Sequence, residues 1–263
     1  MNKAEERYCE IIEILKRNPI VTVSEFAEYL SVSPETIRKD LNVLADKGQV
    51  MRIHGGAALA GDKTVISPFQ FRETVNQREK QALAYAAGDL IKPGDSLIIE
   101  SSTTMVELVK ILLERPELLK TLTIVTNSVH IVTLLEMGAL CARLFLLGGW
   151  MRESEQSTQG QITAAELKNF HVDKCLLSGA ALGKNLFLTS FYEDDMLFQK
   201  QAMKSASQTI LLLEAGKYPS TAVLAVAPLT QFDRLVTNIA FDEEQKKKLG
   251  DSNLEIIYID TKS

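Results

Sequence analysis

The stretch TVSEFAEYLSVSPETIRKDLNVLADKGQVMRIHGGA, residues 22–57, restricts the fold more than any other part of the chain. Its apolar residues recur at helical spacing, stop, and resume after a proline. Thr22 to Glu25 has the Ser/Thr-x-x-Glu form of a capping box, in which the two ends satisfy each other's orphan N–H groups, so a short helix starts there and carries Phe26, Ala27 and Leu30. Ser31-Val32-Ser33 makes a turn. Ser33 suits the N-cap of the next helix and Pro34 its first position, where a missing N–H is harmless and the fixed φ is helical. Ile37, Leu41 and Leu44 then form one apolar stripe, with Thr36, Arg38, Lys39 and Asn42 off it and Gly48 closing the helix. Upstream, Tyr8, Ile11, Ile12 and Leu15 share one face of a helix over residues 6–17, which Asn18-Pro19 ends. Downstream, QVMRIHGGAAL predicts two short strands, residues 50–53 and 57–59, around a Gly-Gly that can take positive φ, with Arg52 and His54 near the tip.

Three short helices around a small core, the last two joined by a tight turn and followed by a wing, make a helix-turn-helix whose second helix can enter a major groove. Such a helix needs cations for phosphates and short hydrogen-bonding side chains for base edges, and Thr36, Arg38, Lys39 and Asn42 supply both. Asp40 lies among them and phosphate would repel it, so it is expected to orient Arg38, Lys39 or a neighbouring helix. Bulk charge gives no help, because the chain carries a net −5 and its first 60 residues hold 8 basic and 9 acidic side chains. The DNA reading therefore rests on local geometry. Its competitor is a set of ordinary amphipathic helices in a larger core, with Arg38 and Lys39 as a solvated face.

The segment VSPETIRKDLNVLADKGQVMRIHGGA resembles the DNA-binding domain of the DeoR (deoxyribose repressor) family of bacterial transcription regulators. The shared signature is a Thr-Ile/Ala-Arg-Arg/Lys-Asp-Leu helix followed by an Arg-x-His-Gly-Gly-Ala wing, and it covers residues 6–59. The resemblance implies double-stranded operator DNA as partner, contacted from Ser33, Glu35, Thr36, Arg38, Lys39, Asn42, Arg52 and His54.

Residues 61–80, GDKTVISPFQFRETVNQREK, are mostly polar with Pro68 inside, and they are read as a linker between a DNA-binding domain over 1–60 and a second domain over 81–263. In the second domain a strand-then-helix rhythm repeats. The predicted strands are residues 96–100, 122–126, 143–148, 173–179, 209–214, 222–227, 234–238 and 255–259, the first two followed by helices over 103–115 and 128–137. Runs of Ile, Leu and Val without alternation suit strands buried on both faces, so the expected fold is a Rossmann-like, doubly wound, mostly parallel sheet.

Polar residues collect where those runs end: Glu100 to Thr104, Thr126-Asn127-Ser128, Gly148-Gly149, Gly179, and Glu214 to Lys217. Ligands of open α/β sheets bind outside the carboxyl ends of strands. A helix starting at Ser102–Thr104 would aim N–H groups and hydroxyls at an anion, and Lys217 could add a cation, so a small phosphorylated ligand is the natural guest. Taken singly, each feature has a plain structural explanation, as an N-cap, a turn or a solvated lysine.

The order of these motifs resembles the effector domain of the DeoR family over residues 75–260, and that domain resembles ribose-5-phosphate isomerase in fold. The resemblance implies a sugar-phosphate effector held by Glu100, Ser102, Thr103, Thr104, Thr126, Asn127, Ser128, Gly148, Gly149, Arg152 and Lys217, in a homo-dimer or homo-tetramer. Three departures stand out: Glu100-Ser101-Ser102 where the family has Asp-x-Gly, Glu214-Ala215-Gly216-Lys217 where it has Asp-Ser-Ser-Lys, and Gly179-Ala180-Ala181 where it has an aspartate. They alter which sugar hydroxyls can be paired. Two other readings compete with the regulator. One is an isomerase with Glu100 as base and Lys217 as stabiliser of an enediolate, for which a winged helix has no use. The other is a DNA-binding protein whose ligand site has degenerated.

No apolar run is long enough for a membrane span and the charged start does not suit a signal peptide, so a cytoplasmic protein without membrane contact is expected. Cys9, Cys141 and Cys175 are dispersed and are expected to be buried thiols. His54, His130 and His171 are equally scattered, and neither a metal nor another cofactor is expected.

Overall fold

The structure is a computed structural model that describes residues 3–18, 20–47, 49–53, 55–59, 69–138 and 143–261. They divide into two compact units, Met1–Val75 and Asn76–Ser263.

The first unit contains α1 (Lys3–Arg17), β1 (Ile20–Thr22), α2 (Val23–Tyr29), α3 (Pro34–Asp46), β2 (Val50–Ile53), β3 (Gly56–Leu59) and α4 (Phe69–Thr74). Both halves of the capping box form. Thr22 Oγ1 accepts from the Glu25 N–H at 3.2 Å, and Glu25 Oε2 accepts from the Thr22 N–H at 2.7 Å. Ser33 caps α3 by accepting from the Thr36 N–H at 3.2 Å, with Pro34 at the first position. Ile11 and Leu15 of α1, Phe26 of α2 and Ile37, Leu41 and Leu44 of α3 meet in one core.

The wing is larger than two strands, because β1 joins it to give an antiparallel sheet in the order β1-β3-β2. A strand of three residues is too short to leave a periodic signal. Gly55 turns the wing with φ of +83°, and a Cβ on Gly56 would lie 2.3 Å from the Val21 carbonyl oxygen, so glycine is what lets β3 lie against β1. Pro19, Gly48, His54 and Pro68 lie outside the described residues.

The segment read as a linker over 61–80 is partly helical, since it contains α4 and the start of α5 (Gln77–Gly88). Its polar composition hides two anchors: Phe69 and Lys80 are both buried.

In the second unit α5 leads into β4 (Ser96–Ile99), α6 (Thr103–Leu113), α7 (Pro116–Leu119), β5 (Thr123–Thr126), α8 (Val129–Gly138) and β6 (Arg143–Leu146). A small excursion follows, made of the hairpin β7 (Trp150–Arg152) and β8 (Ser157–Gln159) and then α9 (Gln161–Glu166). The chain continues through β9 (Val172–Ser178), β10 (Ala181–Leu182), β11 (Phe187–Ser190), α10 (Glu193–Lys204), β12 (Ala206–Leu213), β13 (Leu224–Pro228), β14 (Arg234–Thr237), α11 (Glu243–Gly250) and β15 (Glu255–Tyr258).

Seven strands form one sheet in the order β15-β14-β12-β9-β4-β5-β6, and every pairing in it is parallel. Leu97, Ile98 and Ile99 of β4 and Ile210 to Leu213 of β12 are buried on both faces. One predicted strand is placed elsewhere. The run at 222–227 becomes β13, which pairs antiparallel with β11 in a separate sheet of order β10-β11-β13. A short apolar run does not distinguish a central parallel strand from a small antiparallel one, and here Val223 is exposed.

The chain runs outward from β4 through β5 to β6, then returns to the other side of β4 and continues through β9, β12, β14 and β15. The strand order therefore reverses between β4 and β9, which opens a crevice at their carboxyl ends. Among the described residues no helix is long and apolar enough to cross a membrane. Cys175 is buried, and burial pushes its thiol well above the usual range. Cys9 is exposed, contrary to expectation, because it lies off the Ile11–Leu15 face of α1. Cys141 lies outside the described residues.

Candidate functional site

In the first unit α3 has two distinct faces. Ile37, Leu41 and Leu44 are fully buried, while Arg38, Lys39 and Asn42 are exposed and Thr36 is half-buried near the helix start. The hydroxyls of Ser33 and Thr36 lie 2.9 Å apart and fix the helix N-terminus. Glu35 is exposed and approaches Arg38 Nη1 at 3.5 Å. Both partners are more than half exposed, and such pairs contribute about 0–1 kcal/mol, so Arg38 can exchange Glu35 for a phosphate or a base at small cost. Arg52 is exposed on β2, close to the Gly55 turn. Asp40 contacts neither Arg38 nor Lys39 in the described geometry. It is buried and held by Arg7 of α1, whose Nη2 donates to Oδ1 at 2.9 Å while Nε donates to Oδ2.

In the second unit the crevice between β4 and β9 is built around Glu100. Its Oε1 accepts from the Ser178 N–H and, at 2.7 Å, from Ser178 Oγ; its Oε2 accepts from Gln199 Nε2 of α10 at 2.9 Å. Burial pushes the Glu100 carboxyl up to about 7, against the pull of those hydrogen bonds and with a small addition from the charge of Asp195. Ser102 caps α6 by accepting from the Met105 N–H at 3.2 Å, and Thr103 and Thr104 are buried in the first turn. Asn127 Oδ1 accepts from the Ser101 N–H at 2.9 Å, and Asn127 Nδ2 donates to the Thr158 carbonyl at 3.0 Å.

Several expected site residues perform structural tasks. Thr126 Oγ1 accepts from the Ser128 N–H, and Ser128 Oγ accepts from the Ile131 N–H to start α8. Gly148 donates its N–H to Glu166 of α9 at 2.7 Å. Gly149 has φ of +142°, and a Cβ there would lie 2.1 Å from Thr163 Oγ1, so this pair is a tight turn under α9. Arg152 is ion-paired with Asp194 at 3.0 Å and Asp195 at 3.3 Å, both at the start of α10, and its guanidinium lies 4.2 Å from the Tyr192 ring centroid.

Lys217 belongs to the end of β12, two strands and about 10 Å across the sheet from β4. It is half-buried beside Glu214, which is buried and whose Oε2 has no hydrogen-bond partner among the described residues. Burial raises the Glu214 carboxyl, while the charge of Lys217, a hydrogen bond from Asn76 and the charge of Lys80 draw it down. Sequence reasoning missed Lys80, Ser178 and Gln199 and left Glu214 out of the site. None of them carries a local signal, since Lys80 follows Gln77, Arg78 and Glu79 in a charged segment and Ser178 and Gln199 reach Glu100 from 78 and 99 positions away.

The first turn of α6 thus presents a helix N-terminus with buried hydroxyls beside the end of β4, while the end of β12, two strands away, carries the buried Glu214 carboxyl with Lys217 and Lys80 near it. Both oxygens of Glu100 already accept hydrogen bonds, which fix the carboxyl between the ends of β4 and β9 and α10.

The model of the DeoR-like helix-turn-helix domain matches residues 7–63, and that of the DeoR C terminal sensor domain matches residues 75–239. The chain is 31% identical over 251 residues to an uncharacterized HTH-type transcriptional regulator of Bacillus subtilis (strain 168), covering 95% of each. It is 27% identical over 254 residues to the glycerol-3-phosphate regulon repressor of Escherichia coli (strain K12), covering 97% of this chain and 98% of the repressor. Among solved structures, ribose 5-phosphate isomerase A from Methanocaldococcus jannaschii aligns with 54% of each chain at 18% identity and a TM-score of 0.40.

Proposed function

The chain belongs to the DeoR family of transcription regulators, and from that membership we propose that it represses a carbohydrate-metabolism operon and releases operator DNA when a phosphorylated sugar or related metabolite binds. The observation that carries the DNA half is the exposed face of α3, where Arg38, Lys39 and Asn42 face solvent while the opposite stripe is buried. Arg52 on the wing adds a phosphate contact. The test uses a duplex selected from a random library by the full chain. Arg38→Ala is expected to weaken binding to that duplex by roughly 1–3 kcal/mol, whereas Lys39→Ala, a phosphate contact, weakens selected and scrambled duplexes alike. Wild-type affinity in both variants would refute the assignment.

The effector half rests on the crevice chemistry. We assign the phosphate to the first turn of α6, with Ser102, Thr103 and Thr104, and the hydroxyl-bearing end to Glu214, Lys217 and Lys80 on the β12 side. A phosphorylated polyol agrees with the relative named for the glycerol-3-phosphate regulon. The protein acts without catalysis in this reading, because Glu100 positions the ends of β4 and β9 and does not serve as a base. One recognition helix reads only a few base pairs, so at least two copies must bind together. The exposed apolar side chains Phe145, Leu146, Trp150, Met151 and Ile162 of the second unit are the contact we favour for a dimer or tetramer. Light scattering that gives a monomer at DNA-binding concentrations would exclude it.

A further inference from the structure

On α3 the buried positions are Ile37, Asp40, Leu41 and Leu44, the spacing of an apolar stripe with one carboxylate set inside it. Asp40 is 4% exposed. A buried carboxylate is costly unless paired, and even a well-paired one is often no more stabilising than a hydrophobic residue of similar size. A leucine at position 40 would complete the stripe. Asp40 instead meets Arg7, which stands one turn before Ile11 and two before Leu15, on the face that α1 turns to the core. The contact is a two-pronged fork, Nε to Oδ2 and Nη2 to Oδ1, and each prong restrains the other's direction. The hydrogen bonds to Asp40 also raise the Arg7 guanidinium above its usual range.

An apolar stripe alone tolerates small rotations and slides of one helix on another, because Ile, Leu and Leu repack with little directional preference. Base readout does not tolerate them. Arg38, Lys39 and Asn42 lie within two residues of Asp40, so a rotation of α3 about its axis displaces all three at once.

We propose that the Arg7–Asp40 fork is a positioning device that sets the rotation and register of the recognition helix, and that its contribution is to operator discrimination and not to fold stability. It also turns the one carboxylate in the middle of the recognition helix away from the phosphates. This inference concerns the DNA-binding unit and does not depend on the effector reading.

The test compares the full-length wild type, Arg7→Lys, and the double variant Arg7→Met with Asp40→Leu. Lysine keeps the charge but cannot form the fork, and the double variant replaces the pair by apolar groups of similar volume. Each protein is titrated with a duplex selected by the wild type from a random library and with a scrambled duplex of the same composition, and each is melted thermally. The selected-to-scrambled affinity ratio should fall at least tenfold in both variants. The scrambled-duplex affinity should stay within twofold, and the melting temperature of the double variant should equal or exceed that of the wild type. A ratio within twofold of wild type in either variant, or a parallel loss on both duplexes, would overturn the proposal and leave the fork as packing alone. Should the double variant fail to fold, the Arg7→Lys ratio decides by itself.

Discussion

Glu100 brings the clearest pH consequence at the scale of single residues. Burial holds its carboxyl at about 7 in the folded chain, above its ordinary value of 4.5. Between those values the folded state binds more protons than the unfolded state, so stability must fall as pH rises through that window. Replacing Glu100 by Gln removes the titration. Relative to Glu100→Gln, the wild type should lose up to about 3 kcal/mol of stability between roughly pH 5 and pH 8. Urea unfolding followed by the fluorescence of Trp150, the chain's single tryptophan and a member of the same unit, measures it. Parallel stability curves for the two proteins would show that Glu100 is not held as described. The partners of this residue were invisible in the sequence for a simple reason: Ser178 and Gln199 lie 78 and 99 positions away. Asp40 was half legible. Its repulsion by phosphate forecast a role in orienting Arg38, Lys39 or a neighbouring helix, but nothing local named Arg7 of α1 as its partner.

Elements were legible where their determinants are local. The capping box at Thr22, the Ser33–Pro34 start of α3 and the seven apolar runs of the large sheet each depend on residues a few positions apart. The three-residue β1 and the antiparallel placement of β13 depend on distant partners, and no periodicity carries that information. Polar composition likewise concealed α4 and the start of α5, whose buried Phe69 and Lys80 are single residues in a charged segment. The wing supplies the prediction at this scale. A methyl group on Gly56 would fall 2.3 Å from the Val21 oxygen, a contact that only a shift of β3 away from β1 can relieve. Gly56→Ala should therefore destabilise the first unit by about 1–3 kcal/mol and weaken DNA binding, whereas Gly55→Ala, with open space around it, should suffer backbone strain alone. Amide hydrogen exchange over residues 20–22 and 56–59 reports the difference, and unchanged protection in Gly56→Ala would refute it.

At the scale of the whole molecule, DNA and the proposed effector occupy different compact units, so the ligand must act by favouring one arrangement of the assembled protein. The departures at Glu100, Ala181 and Ala215 bear on which ligand does so. Glu100 is engaged by Ser178 and Gln199, whereas Glu214 keeps one oxygen without a hydrogen-bond partner among the described residues, so in the proposed site Glu214 is the carboxylate open to a ligand hydroxyl. Coupling free energies of about 1–3 kcal/mol are typical and correspond to roughly 5–150-fold changes in affinity. Linkage makes the effect reciprocal. The decisive measurement is a titration of the selected duplex into the full chain, with and without each of a panel of sugar and polyol phosphates and their unphosphorylated parents at saturation. At least one phosphate, and not its parent, should lower duplex affinity roughly 5–150-fold, and saturating duplex should lower affinity for that phosphate by the same factor. Duplex affinity that no phosphate in the panel alters would contradict it.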